Sequence, residues 1–170
     1  MRTVVGNLTF ALVGPGLEAV VGPYLLVRVA GSDLDWPFAV RALGVLLIVL
    51  GVAVLLDVFR RFAREGRGTP SPAAPARDLM RGGVFGVVRH PMYVATATIV
   101  VGEALAFAQP VLLVGAAAYL AAMATLSALV EEPMLARRHG PAFEAYRREV
   151  PGWIPRPRWP RGPRRTRPRP

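Results

Sequence analysis

Apolar residues gather into four long blocks along the chain, and short polar segments separate these blocks. The first block covers residues 4–30 and the second residues 37–59, with no charged side chain at 43–56. About 20 residues of helix cross a hydrocarbon core that is about 30 Å thick. The pattern therefore predicts an all-α integral membrane protein with about four transmembrane helices.

The first block carries several residues that interrupt a regular helix. Gly14-Pro15-Gly16 and Gly22-Pro23 lie inside it, together with Glu18. Proline removes a backbone donor, so the block is predicted to form a kinked helix or two half-helices. A signal peptide would begin in the same way, but the length and the lack of a small-residue cleavage site favour a retained span.

The third and fourth blocks, residues 91–109 and 110–130, follow each other with only Pro110 marking a turn. This spacing predicts a tight antiparallel hairpin. An amphipathic C-terminal helix is expected to follow and to end near Glu149. Residues 1–156 are predicted to form one domain, and the Pro/Arg-rich residues 157–170 to form a disordered tail or to lie against anionic headgroups.

The charge distribution predicts the orientation in the membrane. All 21 basic residues are arginine; the Gly/Pro-rich connection at 60–90 holds seven of them and the chain after Val130 holds eleven. The positive-inside rule then assigns this connection and both termini to the cytoplasm, in a bacterial inner membrane. The net charge of +10 is explained by topology, so no nucleic-acid partner is predicted.

The composition also limits the chemistry that the chain can perform. Hydrophobic residues make up 53% of the chain, and there is no cysteine. Disulfides, thiolate catalysis and cysteine-bound zinc are therefore excluded. His90 and His139 are the only histidines, so no metal site is predicted.

Polar residues cluster at the two ends of the predicted hairpin that share one membrane face. Arg89-His90-Pro91-Met92-Tyr93 precedes and begins the third block, and Glu131-Glu132 follows the fourth. An antiparallel hairpin brings the two groups to the same depth, where ionisable groups are costly unless they pair or bind a ligand. Interfacial anchoring by charged and aromatic residues is the alternative interpretation of their position.

The region after the hairpin adds further motifs in a fixed order. These are Glu131-Glu132-Pro133-Met134-Leu135, His139-Gly140-Pro141-Ala142-Phe143, Tyr146, Val150-Pro151 and Ile154-Pro155. With the Arg89–Tyr93 motif, the series resembles the isoprenylcysteine carboxyl methyltransferase and phospholipid methyltransferase superfamily, in a form similar to its bacterial members. The resemblance extends over residues 57–157.

This resemblance implies an enzyme that transfers a methyl group from S-adenosylmethionine. The acceptor would be a lipophilic molecule entering from the bilayer, methylated on an isoprenylcysteine-like carboxylate or on a phospholipid-type amine. Glu131 and Glu132 would be catalytic and close the pocket beside the reacting methyl group, and Arg147 or Arg148 would meet the cofactor carboxylate or a lipid headgroup. The implied cofactor-binding residues are Arg89, His90, Pro91, Tyr93, Glu131, Tyr146 and Arg147.

Two other functions remain open from the sequence. A membrane ene or sterol-type reductase that uses NADPH has a related helical core, and a non-catalytic scaffold would keep the fold without the chemistry. Three acidic residues inside the apolar blocks also have two interpretations. Glu103, Asp57 and Glu18 either bond to a neighbouring helix or line a tunnel for a lipid substrate.

Overall fold

The computed structural model describes residues 12–32, 34–64 and 78–155, and this part of the chain is helical without any strand. A short 3₁₀ turn at Gly83–Gly86 precedes the helix that begins at Pro91, and a π-helical segment, Ser127–Glu131, joins the helices Val111–Leu126 and Glu132–His139. The helices are α1 (Leu12–Val21, wound as a π-helix), α2 (Gly22–Ala30), α3 (Phe38–Arg64), α4 (Pro91–Ala106), α5 (Val111–Leu126), α6 (Glu132–His139) and α7 (Pro141–Glu149).

The described part of the first apolar block is continuously helical, and its winding changes from π to α at Gly22. α1 contains Pro15 and has the wider π winding, and α2 begins directly after it with Gly22 and Pro23. A proline inside a helix removes one backbone donor, and a wider turn is one way to accommodate that loss. Residues 4–11 of the predicted block lie outside the described residues.

Within the residues that the structure describes, two helices are long and apolar enough to cross a membrane. They are Phe38–Arg64, with a mean hydropathy of 2.8, and the continuous helical stretch Val111–His139, with a mean hydropathy of 1.9. Only 17% of the apolar window of each is buried within the protein. Such an outward-facing apolar surface requires an apolar environment, so the chain is a membrane protein. Four crossings remain a prediction, as does the cytoplasmic position of the termini, which lie outside the described residues.

Glycines allow α3 and α4 to pack very closely. A Cβ atom on Gly44 would lie 2.5 Å from the carbonyl oxygen of Gly102, and a Cβ on Gly102 would lie 2.7 Å from that of Gly44. One heptad after Gly44, a Cβ on Gly51 would lie 2.9 Å from the carbonyl oxygen of Ala95. Small residues at such contacts let helix backbones approach each other in a membrane. The contact fixes α4, whose first residues belong to the polar cluster.

The turn between α4 and α5 is short and is held by a side chain. Gln109 accepts a hydrogen bond from the amide of Ser32 at 3.0 Å and donates one to the carbonyl of Ser32 at 2.8 Å. It thereby connects this turn to the segment that follows α2. α4 and α5 contact each other, while their arrangement as a membrane-crossing hairpin remains a prediction.

The single amphipathic C-terminal helix that the pattern predicted is divided into two. Gly140 has a φ angle of 51° between α6 and α7, a conformation that favours glycine. Pro141 then begins α7, where its missing N–H is not needed. The break turns α7 so that Phe143, Tyr146 and Val150 form a buried cluster.

Candidate functional site

The start of α4 and the start of α6 are joined by an ion pair. Nη2 of Arg89 lies 2.7 Å from Oε1 of Glu132, and Nε of Arg89 donates to the same oxygen at 3.2 Å. The two side chains are only 13% and 14% exposed. A desolvated, hydrogen-bonded pair of this kind fixes the relative position of the two elements.

The imidazole of His90 lies between the two glutamates. Its Nε2 atom is 3.3 Å from Oε1 of Glu132, and its Nδ1 atom is 3.5 Å from Oε2 of Glu131. His90 is buried. The local sequence explains the position, because Pro91 begins α4 and leaves His90 as the residue that precedes the first turn.

Tyr93 lies one turn into α4 and donates a hydrogen bond from its hydroxyl to Oε1 of Glu131. Its ring is part of an aromatic stack with His90 and Trp153. The ring of Trp153 is 5.0 Å from that of His90 and 6.0 Å from that of Tyr93, with interplanar angles of 28° and 17°. The sequence motifs did not single out Trp153, although it lies between the Val150-Pro151 and Ile154-Pro155 pairs.

The chain after α7 covers the polar cluster. The amide of Arg89 donates to the carbonyl of Pro151 at 2.8 Å, and that of His90 donates to Gly152 at 3.1 Å. The Arg89 side chain also donates from Nη1 to the carbonyl of Val150 at 2.6 Å. These bonds hold Trp153 against the ring of His90, so the C-terminal segment is an integral part of the site.

Tyr146 connects α7 to the segment before α4. Its hydroxyl donates to the carbonyl of Phe85 at 2.6 Å, and the residue is 4% exposed. Burial raises the pKa of Tyr146 to about 12. In this arrangement the hydroxyl is directed to the backbone before α4 and not to the two glutamates.

Arg147 and Arg148 are both exposed, and Arg147 contacts one of the carboxylates. Its Nε atom lies 3.4 Å from Oε2 of Glu132, and its side chain is 54% exposed. Glu132 thus has one oxygen directed to Arg89 and His90 and the other to Arg147. Because Arg147 is exposed, part of its guanidinium is accessible to an anionic ligand.

The predicted site residues therefore occupy two layers. Arg89, His90, Tyr93, Glu131, Glu132 and Arg147 are joined by direct polar contacts. Pro91 is buried and begins α4, so it positions these residues. Tyr146 packs with Phe143 and Val150, outside this set of polar contacts. We call the six joined residues together with Trp153 the carboxylate–imidazole cluster.

The three acidic residues in the apolar blocks differ in their partners. Glu18 accepts a hydrogen bond from the hydroxyl of Tyr119 at 2.9 Å, so it bonds to another helix as one interpretation expected. Asp57 pairs with Arg61 of its own helix at 2.8 Å. Among the described residues, Oε2 of Glu103 is buried without a hydrogen-bond partner.

An open cavity of about 530 Å³ lies at the other end of the helices. It is lined by residues 35–38 and Arg41, next to the N-terminus of α3. α3 meets the C-terminal end of α4 there, at Gly44 and Ala106, whereas the cluster lies at the N-terminal end of α4. Within the described parts of the chain, no group of three His, Asp or Glu residues could hold a metal ion.

Comparison with models of protein families identifies the class of protein to which the chain belongs. The model of the phospholipid methyltransferase family matches residues 39–142. This segment is more than half of the chain and includes α3, α4, α5 and both glutamates. The chain belongs to the phospholipid methyltransferase family, as the ordered motifs predicted. No curated protein and no solved structure matches the chain.

The chemistry of the cluster suits the methyl donor that such enzymes use. S-adenosylmethionine carries a sulfonium, an ammonium and a carboxylate. Glu131, whose side chain is 24% exposed, offers carboxylate oxygen to a positive group, and Arg147 offers a guanidinium to a carboxylate. The rings of Trp153 and Tyr93 supply faces that attract a cation or stack on a base.

Proposed function

We propose that the protein transfers a methyl group from S-adenosylmethionine to a lipophilic acceptor, with the carboxylate–imidazole cluster as its active site at the cytoplasmic membrane face. The observation that carries the proposal is the position of His90 between Glu131 and Glu132. The family membership supports methyl transfer as the class of reaction.

The sulfonium of the donor supplies an already activated methyl group, so the residues mainly have to orient the reactants and exclude water. Glu131 lies on the side of the cluster next to Tyr93, and its partial exposure leaves an oxygen for a positive group. Glu132 holds Arg89 and Arg147 in place. Trp153 covers the histidine and excludes water from it.

The carboxylates are also the candidate groups for proton transfer. An acceptor carboxylate needs no base at neutral pH, whereas an acceptor amine must lose a proton. Glu131 or Glu132 is the candidate to steer or take that proton. The outward-facing apolar surface of α3 suits an acceptor that arrives from the bilayer.

The two other functions make different predictions about ligands. A reductase would bind NADPH, and a scaffold would bind neither nucleotide. The family match favours the methyltransferase over both. A thermal-shift comparison of NADPH with S-adenosylmethionine separates the three, because only a ligand that binds the folded state raises its stability.

Calorimetry of the purified protein in lipid nanodiscs tests the proposal directly. The wild-type protein is expected to bind S-adenosylmethionine in a saturable manner. Glu131→Gln keeps the shape of the side chain and removes its charge, so we expect at least tenfold weaker binding, which is about 1.4 kcal/mol. Labelled methyl transfer to lipid extracts is expected to fall in parallel.

Glu149→Gln is the matched control, because this glutamate is exposed at the end of α7. It removes the same charge outside the cluster and is expected to keep the wild-type affinity. Wild-type protein that takes up no S-adenosylmethionine, in either nanodiscs or detergent, would overturn the proposal.

A further inference from the structure

Two consecutive glutamates reach opposite nitrogens of the same imidazole ring. Oε2 of Glu131 lies 3.5 Å from Nδ1 of His90, and Oε1 of Glu132 lies 3.3 Å from Nε2 of that ring. In a regular α-helix, neighbouring side chains point about 100° apart around the axis. The winding of the helix near these residues therefore decides whether both glutamates can face His90.

The helix departs from regular winding directly before Glu132. The stretch Val111–His139 is continuously helical, but Ser127–Glu131 is wound as a π-helix. The amide of Glu132 donates to the carbonyl of Ser127, which is one residue further back than in an α-helix. The π segment thus holds one residue more than regular turns would, and every side chain after it is shifted by one position.

This shift determines which residues face α4. Leu112 of α5 is buried in a cluster with residues of α4. Val130 follows Leu112 by about five full turns of regular α-helix, so regular winding would direct Val130 to the side of α4. Glu132 would then lie roughly 200° further round the axis, on the opposite side. With the extra residue, Glu131 takes the place that regular winding would give to Val130, which is 50% exposed.

A proline directly after the two glutamates explains the π winding. Pro133 has no N–H for the carbonyl of Leu129, and in a regular helix its ring would collide with that carbonyl. Leu129 lies inside the π segment, where a wider turn relieves the conflict. α1, the other π-wound stretch among the described residues, also contains a proline, Pro15.

We infer that Pro133 is a positioning residue of the proposed active site, because it maintains the π winding that directs two consecutive glutamates to His90. The inference rests on the proposed function. Glu132 is also held by Arg89 at 2.7 Å, whereas Glu131 lies inside the π segment. The placement of Glu131 is therefore the one that responds most to the proline.

Calorimetry with S-adenosylmethionine on the full-length protein in nanodiscs tests the inference through Pro133→Ala. Alanine restores the N–H and forms helix far better than proline, so regular winding becomes favourable. Glu131 is then expected to turn away from His90 and from the hydroxyl of Tyr93. We expect the Kd to rise at least tenfold, while the thermal unfolding temperature without ligand is at least that of the wild type.

Deletion of Ala128 from the Pro133→Ala variant is the rescue experiment. Ala128 is an exposed residue of the π segment, and its deletion removes the extra residue. A regular helix then directs both glutamates to the side that they face in the wild type. We expect the Kd to return to within threefold of the wild-type value, which a proline with only a folding role would not allow.

Pro141→Ala is the matched control, because Pro141 begins α7, where the missing N–H is not needed. It is expected to keep the wild-type Kd. The Glu131→Gln background gives a second measurement. There Pro133→Ala is expected to change the Kd less than twofold, because the carboxylate that the proline positions is already neutralised.

Three results would overturn the inference and leave the proposed function intact. They are a wild-type Kd in Pro133→Ala, a tenfold effect of this substitution in the Glu131→Gln background, and a combined loss of stability and affinity that deletion of Ala128 does not restore. A wild type that binds no S-adenosylmethionine would instead remove the proposed function.

Discussion

Arg89 and Glu132 are 43 residues apart in the sequence, yet their side chains form an ion pair of 2.7 Å at the centre of the site. The same arginine donates to the carbonyl of Val150 at 2.6 Å and to that of Arg147 at 3.2 Å. One side chain therefore connects the segment before α4, the start of α6 and the end of α7. Its bonds to the two carbonyls help to hold the C-terminal segment over the cluster.

The first prediction concerns the hydrogen bonds that the Arg89 side chain donates. Arg89→Lys keeps the positive charge, but a single ammonium cannot reproduce the planar set of donors that reaches a carboxylate and two carbonyls together. We expect a loss of about 1–3 kcal/mol in the free energy of unfolding, since hydrogen bonds to charged groups contribute amounts of this order. Hydrogen exchange is expected to become faster in residues 147–153.

Arg137→Lys is the control for this variant, because Arg137 is exposed on α6. Unchanged exchange in residues 147–153 of Arg89→Lys would contradict the role assigned to the guanidinium. Donor affinity offers a second measurement, because a loosened C-terminal segment would also release Trp153 from His90.

The second prediction concerns Tyr146 and its hydrogen bond to Phe85. Tyr146→Phe leaves the carbonyl oxygen of Phe85 without this donor in a buried place, so we expect a loss of about 1–3 kcal/mol in the free energy of unfolding. Denaturant unfolding in detergent measures the change. Tyr24→Phe is the control, because Tyr24 is 59% exposed.

The third prediction is a pH dependence that arises from the same tyrosine. Burial raises the pKa of Tyr146 to about 12, while the unfolded chain has a tyrosine pKa of about 10. Below pH 10 the hydroxyl is protonated in both states and its contribution to stability is complete. As the pH rises from 10 to 12, the unfolded state loses its proton first, and stability falls.

Phenolate absorbance and unfolding measurements over this pH range check the third prediction. The wild type is expected to lose more stability between pH 10 and pH 12 than Tyr146→Phe, which has no proton to release at this position. Parallel curves for the two proteins would show that Tyr146 does not titrate differently on folding.

The fourth prediction concerns the contact between α3 and α4. Gly102→Ala places a Cβ atom 2.7 Å from the carbonyl oxygen of Gly44. Because that oxygen belongs to the backbone of a packed helix, the helices must move apart, at a cost of about 1–3 kcal/mol. Thermal unfolding in detergent measures the cost. Gly22→Ala is the control, since its nearest neighbour would lie 4.0 Å away, and equal stability of the two variants would contradict the prediction.

The pairing between Arg89–Tyr93 and Glu131–Glu132 could be predicted because the two motifs lie at the ends of consecutive apolar blocks. A short turn at Pro110 and blocks of similar length are sufficient to bring those ends together. The family resemblance added the roles of the residues. It also assigned Tyr146 and Arg147 of the C-terminal region to the site, but not Trp153.

Other parts of the site depend on contacts that no local pattern contains. Trp153 is placed on His90 by backbone hydrogen bonds from Arg89 and His90 to Pro151 and Gly152. The pair of Glu18 and Tyr119 joins residues 101 positions apart, and each alone looks like an isolated polar residue in an apolar block. Such pairs are decided by the packing of whole helices, which the periodicity of a single helix does not determine.

The C-terminal end of α3 also differs from the predicted one. α3 continues to Arg64, past the predicted end at residue 59. Arg61 pairs with Asp57 one turn earlier, and Val58 is buried against Phe85. Charged residues at the end of an apolar block mark the edge of the membrane, whereas a helix can extend beyond that edge into water.

The last prediction concerns the orientation of the chain in the membrane. The chain contains no cysteine, so single cysteines can be introduced without a prior substitution. With four crossings, Ser32→Cys lies outside the cytoplasm and Glu149→Cys lies inside it, because arginines concentrate on the side of α6 and α7. A membrane-impermeant maleimide added to intact spheroplasts is expected to label the first variant and to label the second only after lysis. Labelling of Glu149→Cys in intact spheroplasts would reverse the topology and place the carboxylate–imidazole cluster on the face that cytoplasmic S-adenosylmethionine cannot reach.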